Sequence, residues 1–127
     1  MPEQVFDGLG KLKKLRLVWN KLKIEIPAWF SQLPAREKLD LSFNKLETIP
    51  DKSFDKLHNL NSLALSSNRL TTVSAAWFSQ LTALEELYLS DNQFEFIQDD
   101  AFKTLNQLVR LELFYNSRLR KFKNIFV

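Results

Sequence analysis

The sequence predicts an α/β solenoid, with short parallel strands lining one wall and loops or single helical turns forming the other. Three observations carry that expectation. The chain repeats itself with a period of 24 residues. Each unit holds an L-x-L pair, the alternation of a half-buried strand. Most units also hold F-x-x-L, a spacing that suits one turn of helix or 3-10 helix on the opposite side.

The columns of the repeat are independent of one another. Asparagine stands at Asn20, Asn44, Asn68, Asn92 and Asn116. Phenylalanine stands at Phe6, Phe30, Phe54, Phe78, Phe102 and Phe126. Leucine keeps the same step at Leu15, Leu39, Leu63, Leu87 and Leu111, and again at Leu17, Leu41, Leu65, Leu89 and Leu113. So many columns in one register exclude coincidence, and repeats of this length read as a solenoid.

The elements follow in order. Val5-Phe6-Asp7-Gly8-Leu9 reads as the outer half of a preceding unit, so residues 1–11 form a leading half repeat. Repeats near 12–35, 36–59, 60–83, 84–107 and 108–127 then complete a single domain. One unit cannot bury its leucines alone, so neighbours must stack and share a core. The asparagine sits where the chain leaves the strand and turns inward; its side chain has the donors and acceptors that dehydrated peptide groups there require. The phenylalanines are expected to pack as a spine along the outer wall. Both ends depart from the pattern, at Leu22, Ile26 and Phe30 and again at Leu119, Phe122 and Phe126. Atypical end repeats are expected where a solenoid must cover its core, and Phe122, Ile125 and Phe126 could plug the carboxyl end. Arg36 occupies a position that is leucine in every other unit, and its aliphatic stem is expected to lie at the rim with the charge in water. Ala28-Trp29-Phe30-Ser31-Gln32-Leu33 recurs as Ala76-Trp77-Phe78-Ser79-Gln80-Leu81, so the tryptophans are expected to be outer-wall packing.

The pattern L-x-x-L-x-L-x-x-N-x-L, as in Leu60-Asn61-Ser62-Leu63-Ala64-Leu65-Ser66-Ser67-Asn68-Arg69-Leu70, resembles the leucine-rich-repeat family. With F-x-x-L in the outer segment, it is similar to the 24-residue class found in Toll-like receptors, small leucine-rich proteoglycans and variable lymphocyte receptors. The resemblance covers residues 2–127. It implies a leucine-rich-repeat solenoid with strands on the concave face, and partner binding by side chains on that face. Extracellular animal members usually carry cysteine-rich caps, and this chain has no cysteine.

Catalytic chemistry finds no foothold. His58 is the single histidine, placed in an outer loop segment, and with no cysteine there is neither a metal constellation nor a nucleophilic triad. Glu85-Glu86 and Asp99-Asp100 lie side by side without an apolar surround that would raise a pKa. Gly8 and Gly10 are the only glycines, too few for a phosphate-cradling loop. The expectation is therefore no enzyme, no cofactor and no metal.

The concave face is where function is expected. Positions flanking the inward leucines must point outward. They form four columns: Lys14, Lys38, Ser62, Glu86 and Arg110; Arg16, Asp40, Ala64, Tyr88 and Glu112; Val18, Ser42, Ser66, Ser90 and Phe114; Trp19, Phe43, Ser67, Asp91 and Tyr115. Aromatic residues and arginine are the usual anchors of an interface. The candidate site is accordingly Lys14, Arg16, Trp19, Lys38, Asp40, Phe43, Glu86, Tyr88, Asp91, Arg110, Glu112, Phe114 and Tyr115. Trp19 and Phe43 fit packing over the strand edge as well as binding.

The expected partner is another protein, with self-association through uncapped ends as the alternative for a segment of a longer array. A net charge of +3, from 18 basic and 15 acidic side chains, is a poor nucleic-acid signal. No stretch is apolar over the roughly 20 residues a membrane span needs, and the first residues do not read as a signal peptide. Cytoplasmic, bacterial-secreted and excised extracellular origins all fit such a chain.

Overall fold

A computed structural model describes residues 14–17, 37–95 and 97–119. Within them lie five strands of three residues each: β1 (Lys14–Arg16), β2 (Lys38–Asp40), β3 (Ser62–Ala64), β4 (Glu86–Tyr88) and β5 (Arg110–Glu112). They form one five-stranded sheet in chain order, every neighbouring pair parallel. Leu39 faces Leu63 and Leu63 faces Leu87, so the sequence period of 24 is also the pairing register. The expected solenoid and its parallel strands are thus what the chain forms.

The ladder continues past each strand. Leu17 N–H donates to the Asp40 carbonyl at 2.8 Å, and Leu41, Leu65 and Leu89 repeat the bond to Ala64, Tyr88 and Glu112. On the entry side the bonds run the other way, with Asn61, Glu85 and Val109 N–H donating to Glu37, Asn61 and Glu85. Each turn therefore both gives and receives, which satisfies the backbone groups its leucines would otherwise strand without water.

The core lies behind the sheet. Leu39, Leu41, Leu63, Leu65, Leu87 and Leu89 are buried, joined by Leu46, Leu70 and Phe94 from the turns after the strands. Ile49, Val73 and Ile97 continue the filling outward. In the last turn Leu111 and Leu113 are only half-buried, packed against the cluster from one side.

Among the described residues the outer wall is loop and turn with one single-turn 3-10 helix, Ala75–Trp77. Ser74 caps it, its hydroxyl accepting the Ala76 N–H at 3.2 Å. Phe54 and Phe78 are fully buried, and the ring of Phe78 lies 5.8 Å from that of half-buried Phe102, so the spine forms. Trp77 packs edge-on against Phe78, and its indole N–H donates to the Ile49 carbonyl at 2.8 Å. This tryptophan is wall, as its place beside the spine suggested. Trp29, Arg36, the leading half repeat and the terminal Phe122, Ile125 and Phe126 lie outside the described residues.

The asparagines meet the demand placed on them. Asn68 Nδ2 donates to the carbonyls of Leu65 and Ser66 in its own turn and of Leu41 in the turn before, while its Oδ1 accepts the Leu46 N–H. Asn92 repeats the set on Leu89, Ser90, Leu65 and Leu70. All four described members of the column are buried.

Immediately before each of these four asparagines the backbone turns left-handed. Phe43, Ser67, Asp91 and Tyr115 have φ of 58°, 56°, 55° and 58°. The positive φ, three residues past the end of the strand, turns the chain inward at a steric cost that a non-glycine residue carries.

Candidate functional site

The sheet face opposite the core carries the outward columns. Lys14 and Arg16 stand on β1, Lys38 and Asp40 on β2, Ser62 and Ala64 on β3, Glu86 and Tyr88 on β4, and Arg110 and Glu112 on β5. Strand alternation explains this: between each outward pair sits one leucine, and Leu39, Leu63 and Leu87 are all turned into the core. Lys14, Arg16, Lys38 and Arg110 are exposed; Asp40, Glu86, Tyr88 and Glu112 are half-buried among their neighbours.

Charge is organised locally. Arg16 Nε lies 3.5 Å from Asp40 Oδ2, its partner in the register across β1 and β2. Arg110 Nη1 lies 3.3 Å from Glu112 Oε2 along β5. On β4, partial burial raises the pKa of Tyr88 above its ordinary value. The Glu86 carboxylate beside it adds to the rise, Arg110 opposes it, and Glu112 adds a smaller contribution. Ser67 Oγ donates to Asp91 Oδ2 at 3.0 Å, across the turns that follow β3 and β4.

Of the two remaining columns, both expected to point outward, the one that begins its described part at Ser42 departs from the expectation. Ser42 is buried and Ser66 and Ser90 are half-buried, because the strand has ended and the chain is already turning beneath the left-handed residue. Ser90 serves the backbone there, its hydroxyl accepting the Phe114 N–H at 2.9 Å. Only Phe114 of the described residues in that column is open, at 64% exposure. In the left-handed column Phe43 is 41% and Tyr115 83% exposed, and Asp91 is open as well. Trp19 lies outside the described residues.

One exposed apolar residue escaped the sequence reading. Val109, 81% exposed, enters β5 at the position held by Glu37, Asn61 and Glu85 in earlier turns. An apolar residue in a polar column was the available signal. With Phe114 and Tyr115 it makes the β5 end the most apolar part of the exposed surface described.

Among the described residues no three histidine or acidic side chains gather where a metal could be held. Their helical structure includes nothing long and apolar enough to cross a membrane.

Two family models described as leucine rich repeat match the chain, one over residues 37–94 and one over residues 11–33. No curated protein matches it. Among solved structures, the Toll–Spatzle complex of Drosophila aligns over 88% of this chain and 15% of its own, with 33% identity and a TM-score of 0.83. The leucine-rich repeat domain of APL1B aligns over 84% and 32%, with 25% identity and a TM-score of 0.80. TLR13, in a complex with ssRNA13, aligns over 80% and 14%, with 35% identity and a TM-score of 0.74. The chain therefore spans a third or less of the length of each of these structures.

Proposed function

Because this chain belongs to the leucine-rich-repeat family, we propose that it is a non-catalytic recognition module that holds another protein against the face of its sheet. The observation that supports this best is the aromatic exposure on the strand side, where Phe114 and Tyr115 stand open to solvent. The core of the described residues is filled mainly by buried leucine, isoleucine and phenylalanine. Large apolar side chains left outside a filled core are what an interface uses as anchors.

A protein fits this face better than a nucleic acid. Asp40, Glu86, Asp91 and Glu112 share this face with its cations, and each would repel a phosphate backbone. The residues proposed to make contact are Lys14, Arg16, Trp19, Lys38, Asp40, Phe43, Glu86, Tyr88, Asp91, Arg110, Glu112, Phe114 and Tyr115. The whole of 1–127 is proposed to act as a single unit of repeats.

The test is a paired capture with the folded chain as bait. Tyr88→Ala and Phe114→Ala each lower recovery of a given protein species by tenfold or so, the effect of losing one anchor. Lys103→Ala on the opposite wall leaves recovery unchanged. Equal loss from Lys103→Ala, or a species retained by all three variants, overturns the reading. Light scattering on the same sample addresses the self-associating alternative, which requires a species larger than the monomer.

A further inference from the structure

The outward charges are not mixed evenly along the sheet. When the two ion pairs Arg16–Asp40 and Arg110–Glu112 are set aside as self-neutralised, Lys14 and Lys38 remain on β1 and β2, and Glu86 and Asp91 remain on and just after β4. Between them β3 is small and uncharged, with Ser62 and Ala64 on its outward side. The strand-entry position before β4 adds Glu85. That addition leaves the β1–β2 end net positive and the β4–β5 end net negative.

One pairing makes the arrangement costly for the fold itself. Lys14 and Lys38 stand directly opposite each other in the β1–β2 register. Side chains so placed have Cβ atoms about 5 Å apart, and like charges there oppose sheet pairing. Among the described residues no ion pair relieves either lysine. Folding alone gives no reason for two lysines in register, whereas an anion bridging them from outside does. At the other end, Glu86 and Tyr88 share the outward side of β4, so an incoming cation would meet a carboxylate beside an aromatic ring.

We infer that the partner engages this face with a polypeptide segment of divided charge, its carboxylates between Lys14 and Lys38 and its Lys or Arg side chains over Glu86, Tyr88 and Asp91. Its apolar middle crosses the small residues of β3, the one strand whose outward side chains leave room for bulk. Strands lie about 4.8 Å apart, so β1 to β4 spans about 14 Å and the segment covers the sheet at right angles to the strands. The inference rests on the proposed use of this face for protein recognition and states what that protein presents.

The experiment uses two synthetic peptides of identical composition against the full chain, followed by fluorescence anisotropy at low salt. One has an acidic block, a bulky aliphatic centre and a basic block; the other has the same residues scrambled. The divided peptide binds about tenfold tighter, the size expected when several exposed charge pairs act together. Lys14→Glu with Lys38→Glu removes that preference, and a peptide acidic in neither block regains no advantage on the native chain. Equal binding of the two peptides, or a preference that survives the double substitution, overturns the inference. A protein captured through Tyr88 whose bound segment lacks divided charge overturns it too, while leaving the recognition reading standing. Failure of capture instead sinks the recognition reading itself.

Discussion

The side-chain oxygen of Asn92 accepts the backbone N–H of Leu70 at 3.1 Å, while its amide donates to the Leu65 carbonyl at 3.0 Å. One side chain thus closes hydrogen bonds from both sides of the preceding turn, 22 and 27 residues back. Because Asn92 is buried, water cannot replace it.

Asn92→Ala is therefore expected to destabilise the chain by about 3 kcal/mol, since each polar group left unpaired in the interior costs about 1–3 kcal/mol. Asn59→Ala, at an exposed position in an outer turn, should change stability by no more than about 0.5 kcal/mol. Urea unfolding with an unchanged m-value checks both. A loss under about 1 kcal/mol for Asn92→Ala would mean that the ladder does not hold the turns together.

Ser67 has φ of 56° and its hydroxyl makes one exposed hydrogen bond, to Asp91. Ser67→Gly relieves the left-handed backbone and gives up only that bond, so stability should stay level or rise by about 0.5 kcal/mol. Ser67→Val places a β-branched side chain where it fits worst and should cost about 2 kcal/mol. The order Gly at or above Ser, Ser well above Val, is read from urea midpoints. Any other order contradicts the left-handed turn.

Tyr88 titrates above its ordinary value because of partial burial first and the Glu86 carboxylate second. A raised pKa in the folded state favours the protonated phenol. Its contribution to stability is present below the unfolded value near 10 and is lost as pH rises through the folded one. Glu86→Gln should lower the Tyr88 midpoint toward that of an unperturbed tyrosine, followed by tyrosinate absorbance in a Tyr115→Phe background. An unchanged midpoint would show that Glu86 does not contribute to the rise.

The fold was legible because one constraint writes the same residue into every turn. A stacked unit must seal its leucines and satisfy the carbonyls of the inward bend, so Leu63 and Asn68 recur as columns. The left-handed residue was invisible for the opposite reason. Phe43, Ser67, Asp91 and Tyr115 share a backbone conformation and no chemistry, and no glycine marks the place. Without that bend, Ser42 and Ser90 read as surface, although one is buried and the other holds the Phe114 N–H. The candidate face was legible in its strand columns, where alternation alone decides which way Lys38 and Tyr88 point. It was less legible beyond them, because period-two reasoning stops where the strand does.

Among the described residues each strand touches only its immediate neighbours in the sheet. Such a chain has no centre that every part contacts, and its cooperativity is passed from turn to turn. The order in which backbone amides exchange with solvent deuterium should then follow position along the sheet rather than depth in a common core. The bonds of Leu41 and Leu65 to their neighbours, with a strand on either side, would be slowest to open. A partner lying across β1 to β4 would therefore do more than occupy a surface: by bridging turns that do not touch, it would couple their opening and make a one-dimensional stack behave as a single unit.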